Sequence, residues 1–104
     1  MGKYGLTNGT FLMCIGVLQK ERDGELAGWY KEKILNAERG IGESWAVAER
    51  VKLVQAVKLS FINRRENSFE VLKRKYDLPI EYRQFYREKE KFLLSLAKEC
   101  EFAE

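Results

Sequence analysis

The sequence predicts an all-α protein, a single-domain compact bundle of about five helices. Three observations carry this. The 104-residue chain has one proline, and proline is the residue that breaks helices. Ala, Leu, Glu, Lys and Arg, all strong helix formers, are plentiful. Apolar residues recur at intervals of three and four between turn signals. The length is that of one domain, residues 1–104. A hydrophobic share of 45% beside a charged share of 34% describes a folded chain with a charged surface, not a disordered one.

The first element is "FLMCIGVLQKE". Its length fits a buried strand or a buried helix. We read residues 10–21 as helix, with Thr10 as N-cap; Gly16 inside it costs about 1 kcal/mol against alanine. Phe11, Ile15 and Leu18 would share one face, with Leu12 beside them. The second helix is residues 23–39. Asp23 suits its N-cap, Leu26, Tyr30, Ile34 and Ala37 form its stripe, Trp29 widens that stripe, and Gly40 ends it. The third, residues 44–64, has Val47, Val51, Val54, Val57 and Phe61 at helical spacing. Leu53, Ala56, Leu59 and Ile62 broaden the apolar arc, so this helix should be central.

The fourth helix is residues 68–77. Either Asn67 with Glu70 or Ser68 caps it, and Phe69, Leu72 and Tyr76 face inward. It ends at Asp77-Leu78-Pro79, because a residue before proline avoids the helical region. The fifth is residues 79–100, with Pro79 in its first turn. Tyr82, Phe85, Tyr86, Leu93, Leu96 and Cys100 would face inward. Arg87 to Lys91 are all charged, so that turn should project beyond the core.

The chain has no histidine. This removes the commonest general base and metal ligand, and the Ser-His and Cys-His nucleophile pairs. Carboxylates such as Glu88, Glu90 and Glu99 alternate with basic residues at helix-surface spacing and read as solvated charges. Cys14 reads as a small core residue, and Trp29 and Trp45 as core aromatics. Gly40-Ile41-Gly42 lacks the lysine and the spacing of a phosphate loop. No enzyme, cofactor or metal site is expected. The apolar run Phe11–Leu18 is far below the roughly 18 residues of a membrane span. There is no signal-peptide pattern, and two cysteines form no spaced framework, so a reduced cytoplasmic protein is expected.

The net charge of +3 is unevenly placed. Lys58, Arg64, Arg65, Lys73, Arg74 and Lys75 face only Glu66 and Glu70 between residues 58 and 75, whereas residues 93–104 are net acidic. Local positive charge points to anionic partners.

From Ser68 the chain reads "SFEVLKRKYDLPIEYRQFYREKEKFLLSLA". Over residues 57–97 this resembles the C-terminal region of small phage transcription activators of Gram-positive bacteria, which in turn resemble region 4 of sigma factors. The resemblance implies a helix-turn-helix at residues 68–97, with "SFEVLKRKY" as supporting helix, "DLP" as turn and "EYRQFYREKEKFLLSLA" as recognition helix. The second helix would enter the major groove of double-stranded DNA while the first braces it. Where the family usually has a small residue, a turn glycine and an apolar anchor, this chain has Lys73, Asp77 and Arg83. With Tyr82, Phe85 and Tyr86 inward, Arg83, Gln84, Arg87 and Lys91 would face outward as candidates for base contacts. Arg64, Arg65, Lys73 and Arg74 would hold phosphates.

Two functions stay open at this stage. One is a phage-type or mobile-element-type DNA-binding regulator. The other is a helical protein–protein interaction module, an inhibitor, adaptor or assembly factor, or a homo-oligomer, that does not bind nucleic acid. The second would expose an apolar patch of a few hundred Å² or more.

Overall fold

The computed structural model describes residues 3–102. Among these, a 3-10 turn, Lys3–Gly5, precedes five α-helices and no strand is present. The helices are α1 (Asn8–Arg22), α2 (Gly28–Glu38), α3 (Val47–Ile62), α4 (Phe69–Tyr76) and α5 (Tyr82–Glu99). The all-α bundle is therefore as the sequence implies. Helix α5 packs along α2 and also meets α1, α3 and the 3-10 turn, while the closest backbone packing of α4 is against α3.

Several boundaries differ from expectation, each for a local reason. Helix α1 starts earlier, because Thr7 is the N-cap and accepts the Thr10 N–H at 3.3 Å. Thr10 is buried within the helix, and its hydroxyl donates to the Phe102 carbonyl at 3.3 Å. Asp23 closes α1 instead of opening α2: its N–H donates to the Gln19 carbonyl at 3.0 Å, and Gly24 takes a left-handed φ of 74°. Residues 25–27 then bridge to α2, whose N-cap is Ala27. Helix α3 begins after the turn at 40–45 and stops before Arg64, so both Arg64 and Arg65 lie in the α3–α4 loop. Ser68 caps α4 by accepting the Val71 N–H at 3.3 Å. Pro79 lies outside α5, because Leu78 and Ile80 are both buried and draw the connecting chain into the core.

The inner faces are rotated from the expected ones. In α1 they are Phe11, Cys14, Val17 and Leu18, while Leu12 is 65% exposed. In α3 they are Leu53, Val54, Ala56, Val57, Ser60 and Phe61; Val47 and Val51 point outward. Trp29 is exposed, with the Lys33 ammonium 5.1 Å from its ring centre. Trp45 is half-buried against the core.

Two polar devices and one tight turn hold the helices in place. Lys58 of α3 reaches Glu21 of α1 at 2.7 Å and Glu38 of α2 at 2.8 Å. All three side chains are largely shielded from solvent. Burial opposes the Lys58 charge, but the hydrogen bonds to Glu21 and Glu38 outweigh it and lift its pKa above the ordinary 10.5. Arg50 of α3 closes the end of α2, donating to the carbonyls of Glu38 (3.1 Å), Arg39 (2.6 Å) and Ile41 (2.7 Å). These are carbonyls that α2 leaves without helical partners. Gly42 has φ +58°, and a β-carbon there would sit 3.0 Å from Leu53 Cδ2.

Replacing Lys58 with alanine leaves two carboxylates shielded together and should cost about 2 kcal/mol, below the 3–5 kcal/mol of a fully buried pair because water still reaches them. Urea denaturation checks this. Because the folded pKa is raised, the Lys58 contribution is complete below 10.5 and declines as pH rises past it. Gly42→Ala should lose at least about 1 kcal/mol in the same assay, from the left-handed backbone and the Leu53 approach together.

Candidate functional site

Helix α5 has two unlike halves. Its C-terminal half buries Phe92, Leu93, Leu96 and Ala97. Its first two turns bury only Phe85. The side chains of Tyr82, Arg83, Gln84, Tyr86 and Arg87 are exposed.

The boundary between the halves is the charged turn, which is packed instead of projecting. Glu88 accepts the Gly42 N–H at 3.2 Å and pairs with Lys91 at 3.0 Å. The Lys89 ammonium lies 4.7 Å from the Phe61 ring centre and 5.4 Å from that of Tyr4. Acid and base here serve to anchor the helix. An alternating charge pattern at this spacing looks like a solvated face, so residue order alone carries no signal of it.

The aromatic residues form a connected row. Phe69 of α4 meets Tyr82 edge-on at 5.5 Å and Phe85 at 5.2 Å. Tyr82 lies 6.3 Å from Tyr86, and Tyr86 stacks on Tyr4 at 5.1 Å. Tyr4 in turn packs on Phe11 and Phe61. Of the three residues expected to face inward here, only Phe85 is fully buried; Tyr82 is 60% exposed and Tyr86 37% exposed. The helix-period pattern does not separate them: Tyr82 and Phe85 both pack on Phe69, but only Phe85 is also enclosed by the core. Tyr4, in a turn-rich start, was not singled out by the sequence at all.

The predicted contact residues fall into groups. Arg83 and Arg87 line a shallow groove with Tyr82 and Tyr86. Gln84 and Lys91 line an adjacent groove with Ser44, Trp45, Ile80 and Glu88, and Arg87 borders both. Gln84 is engaged at the helix start, where its Oε1 accepts the Glu81 N–H at 3.4 Å. Lys91 is engaged by Glu88. Of the four phosphate candidates, Lys73 is half-buried, with its ammonium 5.8 Å from the Phe69 ring centre. Arg64, Arg65 and Arg74 are exposed. Arg64 acts electrostatically on the Tyr4 hydroxyl, which puts it at the inner end of the aromatic row. Among the described residues, Arg64, Arg65, Arg74, Arg83 and Arg87 form no ion pair.

Elsewhere, burial pushes the Cys14 thiol up to about 12, with Cys100 adding to it, and burial raises Cys100 as well. Both thiols are buried and free. Such thiols carry little thiolate near neutral pH. Among the described residues no cluster of His, Cys, Asp or Glu is placed to hold a metal ion, and no helix is long and apolar enough to cross a membrane.

No protein-family model matches the chain, and no curated protein or solved structure matches it either.

Burial foremost, with Tyr86 and Tyr82 adding and Arg64 opposing, pushes the Tyr4 hydroxyl up to about 12. A phenolate absorbance titration should therefore show one of the five tyrosines ionising near pH 12, and Tyr4→Phe should remove that step. The Tyr4 contribution to stability is complete below its unfolded value of 10.0 and is lost as pH rises through about 12.

Proposed function

We propose that this protein binds nucleic acid through the exposed first turns of α5 and acts as a DNA-binding regulator of the phage or mobile-element type. One observation carries the reading. Arg83 and Arg87, without acidic partners among the described residues, flank two exposed tyrosines on the outer side of the first two turns of α5. Unneutralised arginines attract phosphates, and each phosphate bound releases counterion.

Further features support the same reading. Asp77 adopts a left-handed conformation with φ 52°, at the turn position that the resembled family gives to glycine. Leu78 and Ile80 anchor that turn in the core, which fixes the relation of α4 to α5. Arg64, Arg65 and Arg74 add exposed positive charge on the α3–α4 loop and α4. In this reading Arg83 and Arg87 contact the ligand first, Arg64, Arg65 and Arg74 orient it, and Gln84 and Lys91 act only after exchanging their present partners.

A second reading rests on a different surface. Leu35, Val47 and Val51 are 57%, 80% and 57% exposed and line one groove between α2 and α3. That apolar face favours a protein–protein contact, and it is compatible with nucleic-acid binding on α5.

Titration with labelled DNA at low and moderate salt tests the proposal. Affinity should fall steeply with salt, and Arg83→Ala and Arg87→Ala should each reduce the log–log slope by about one. Val51→Asp should leave it unchanged. Absence of any affinity at low salt would remove the nucleic-acid reading and leave the α2–α3 face as the functional surface.

A further inference from the structure

The proposed DNA site has a feature that paired DNA does not use. At its centre are aromatic rings. Tyr82 is 60% exposed in the first turn of α5, and Tyr86 is 37% exposed one turn later. Exposing two large rings side by side is unfavourable in water, since each withholds apolar area from burial. Their hydroxyl ends alone do not require this placement.

The geometry limits what these rings can do. Their centres are 6.3 Å apart and their planes are inclined by 40°. A base held between two rings needs parallel faces about 6.8 Å apart, twice the ~3.4 Å separation of stacked bases. Tyr82 and Tyr86 therefore do not form a clamp. Each offers an outer face, and the two faces follow one another along the helix. Tyr82 is supported from below by the edge-on Phe69 ring and Tyr86 by the stacked Tyr4 ring. Both rings are thus held by packing before any ligand arrives, which lowers the entropy lost on binding.

The charges run parallel to the rings. Arg83 and Arg87 sit one turn apart, about 6 Å along the helix axis, on the same groove as the tyrosines. Among the described residues, none that lines that groove is acidic. Of the acids of α5 past it, Glu88 is turned toward Gly42 and Lys91, and Glu90 follows one turn beyond Tyr86. Lys73 lies over Phe69 at one end of the aromatic row, and Lys89 lies over Tyr4 at the other. A row of supported aromatic faces with cations beside it matches a strand whose bases are free to stack and whose phosphates run alongside. In a duplex the base faces are already covered by their neighbours.

Resting on the nucleic-acid reading above, we propose that the Tyr82–Tyr86 face of α5 is a stacking platform for unpaired nucleotides of single-stranded DNA, with Arg83 and Arg87 on the adjoining phosphates. The tyrosines supply sequence-tolerant affinity, because every base has a face to stack. The arginines supply the salt-dependent part.

The test compares a labelled short oligothymidylate, the same strand paired with its complement, and the equivalent oligouridylate, by fluorescence anisotropy with the full chain. The expected order puts the unpaired DNA at least tenfold tighter than the duplex. Tyr82→Leu should lose about tenfold in affinity for the single strand, the equivalent of about 1.4 kcal/mol, with the salt slope unchanged. Tyr82→Phe should retain wild-type affinity. Tyr82 is mostly exposed, so circular dichroism should show these variants folded. Tyr86→Leu, which also removes support from Tyr4, is read only with its melting curve. Duplex binding tighter than single-strand binding, or a neutral Tyr82→Leu, would overturn the platform while leaving the nucleic-acid reading intact. Tighter binding of oligouridylate would overturn the assignment to DNA. No binding of any of the three would overturn both readings and leave the α2–α3 face as the functional surface.

Discussion

Everything distinctive about this molecule depends on how α5 is held at its middle. The Glu88 carboxylate takes the Gly42 N–H, and the Lys89 ammonium rests on the Phe61 and Tyr4 rings. Beyond this clamp the helix is sealed by Phe92, Leu93, Leu96 and Ala97. Before it, only Phe85 is buried. The clamp thus divides one continuous helix into an anchored half and a presented half. It works only because the 40–45 turn brings Gly42 to α5 with a left-handed backbone, and Arg50 fixes that turn through the carbonyls of residues 38, 39 and 41. The Lys58 ion triad then holds α1, α2 and α3 as the frame behind the turn.

Much of the frame was legible in the sequence. Apolar spacing identifies the helices at close to their observed places, and in the stripe of Leu26, Tyr30, Ile34 and Ala37 all but the half-buried Tyr30 are buried. The turn at Asp77-Leu78-Pro79 was also readable, since proline restricts the residue before it. What failed were the details that tertiary partners decide. Thr10 reads as a cap, but its hydroxyl is used by Phe102, and Thr7 caps instead. Val47 and Val51 continue the apolar period of α3, but that helix outruns the core at its N-terminal end and leaves them exposed.

The candidate surface was legible by residue type and only partly by arrangement. Arg83 and Arg87 are exposed as expected, and the outward side of α5 does include Gln84 and Lys91. Yet Gln84 and Lys91 already have partners, so the four are not equivalent. Tyr82 and Tyr86 read as interior residues because aromatic residues usually bury their large area. No sequence pattern records that Phe69 and Tyr4 would prop them from beneath. The most informative residues of the face are therefore those whose placement departs from the average behaviour of their type.

Chemical-shift mapping of backbone amides during titration with a short single-stranded DNA tests the central claim most directly, because it asks where a ligand sits without presuming which side chains matter. The account predicts shifts concentrated at residues 82–87, with weaker ones at Tyr4, Arg64 and Lys73, and none around Leu35, Val47 and Val51. Shifts centred on the α2–α3 face, or spread evenly over the basic surface with residues 82–87 unaffected, would contradict it.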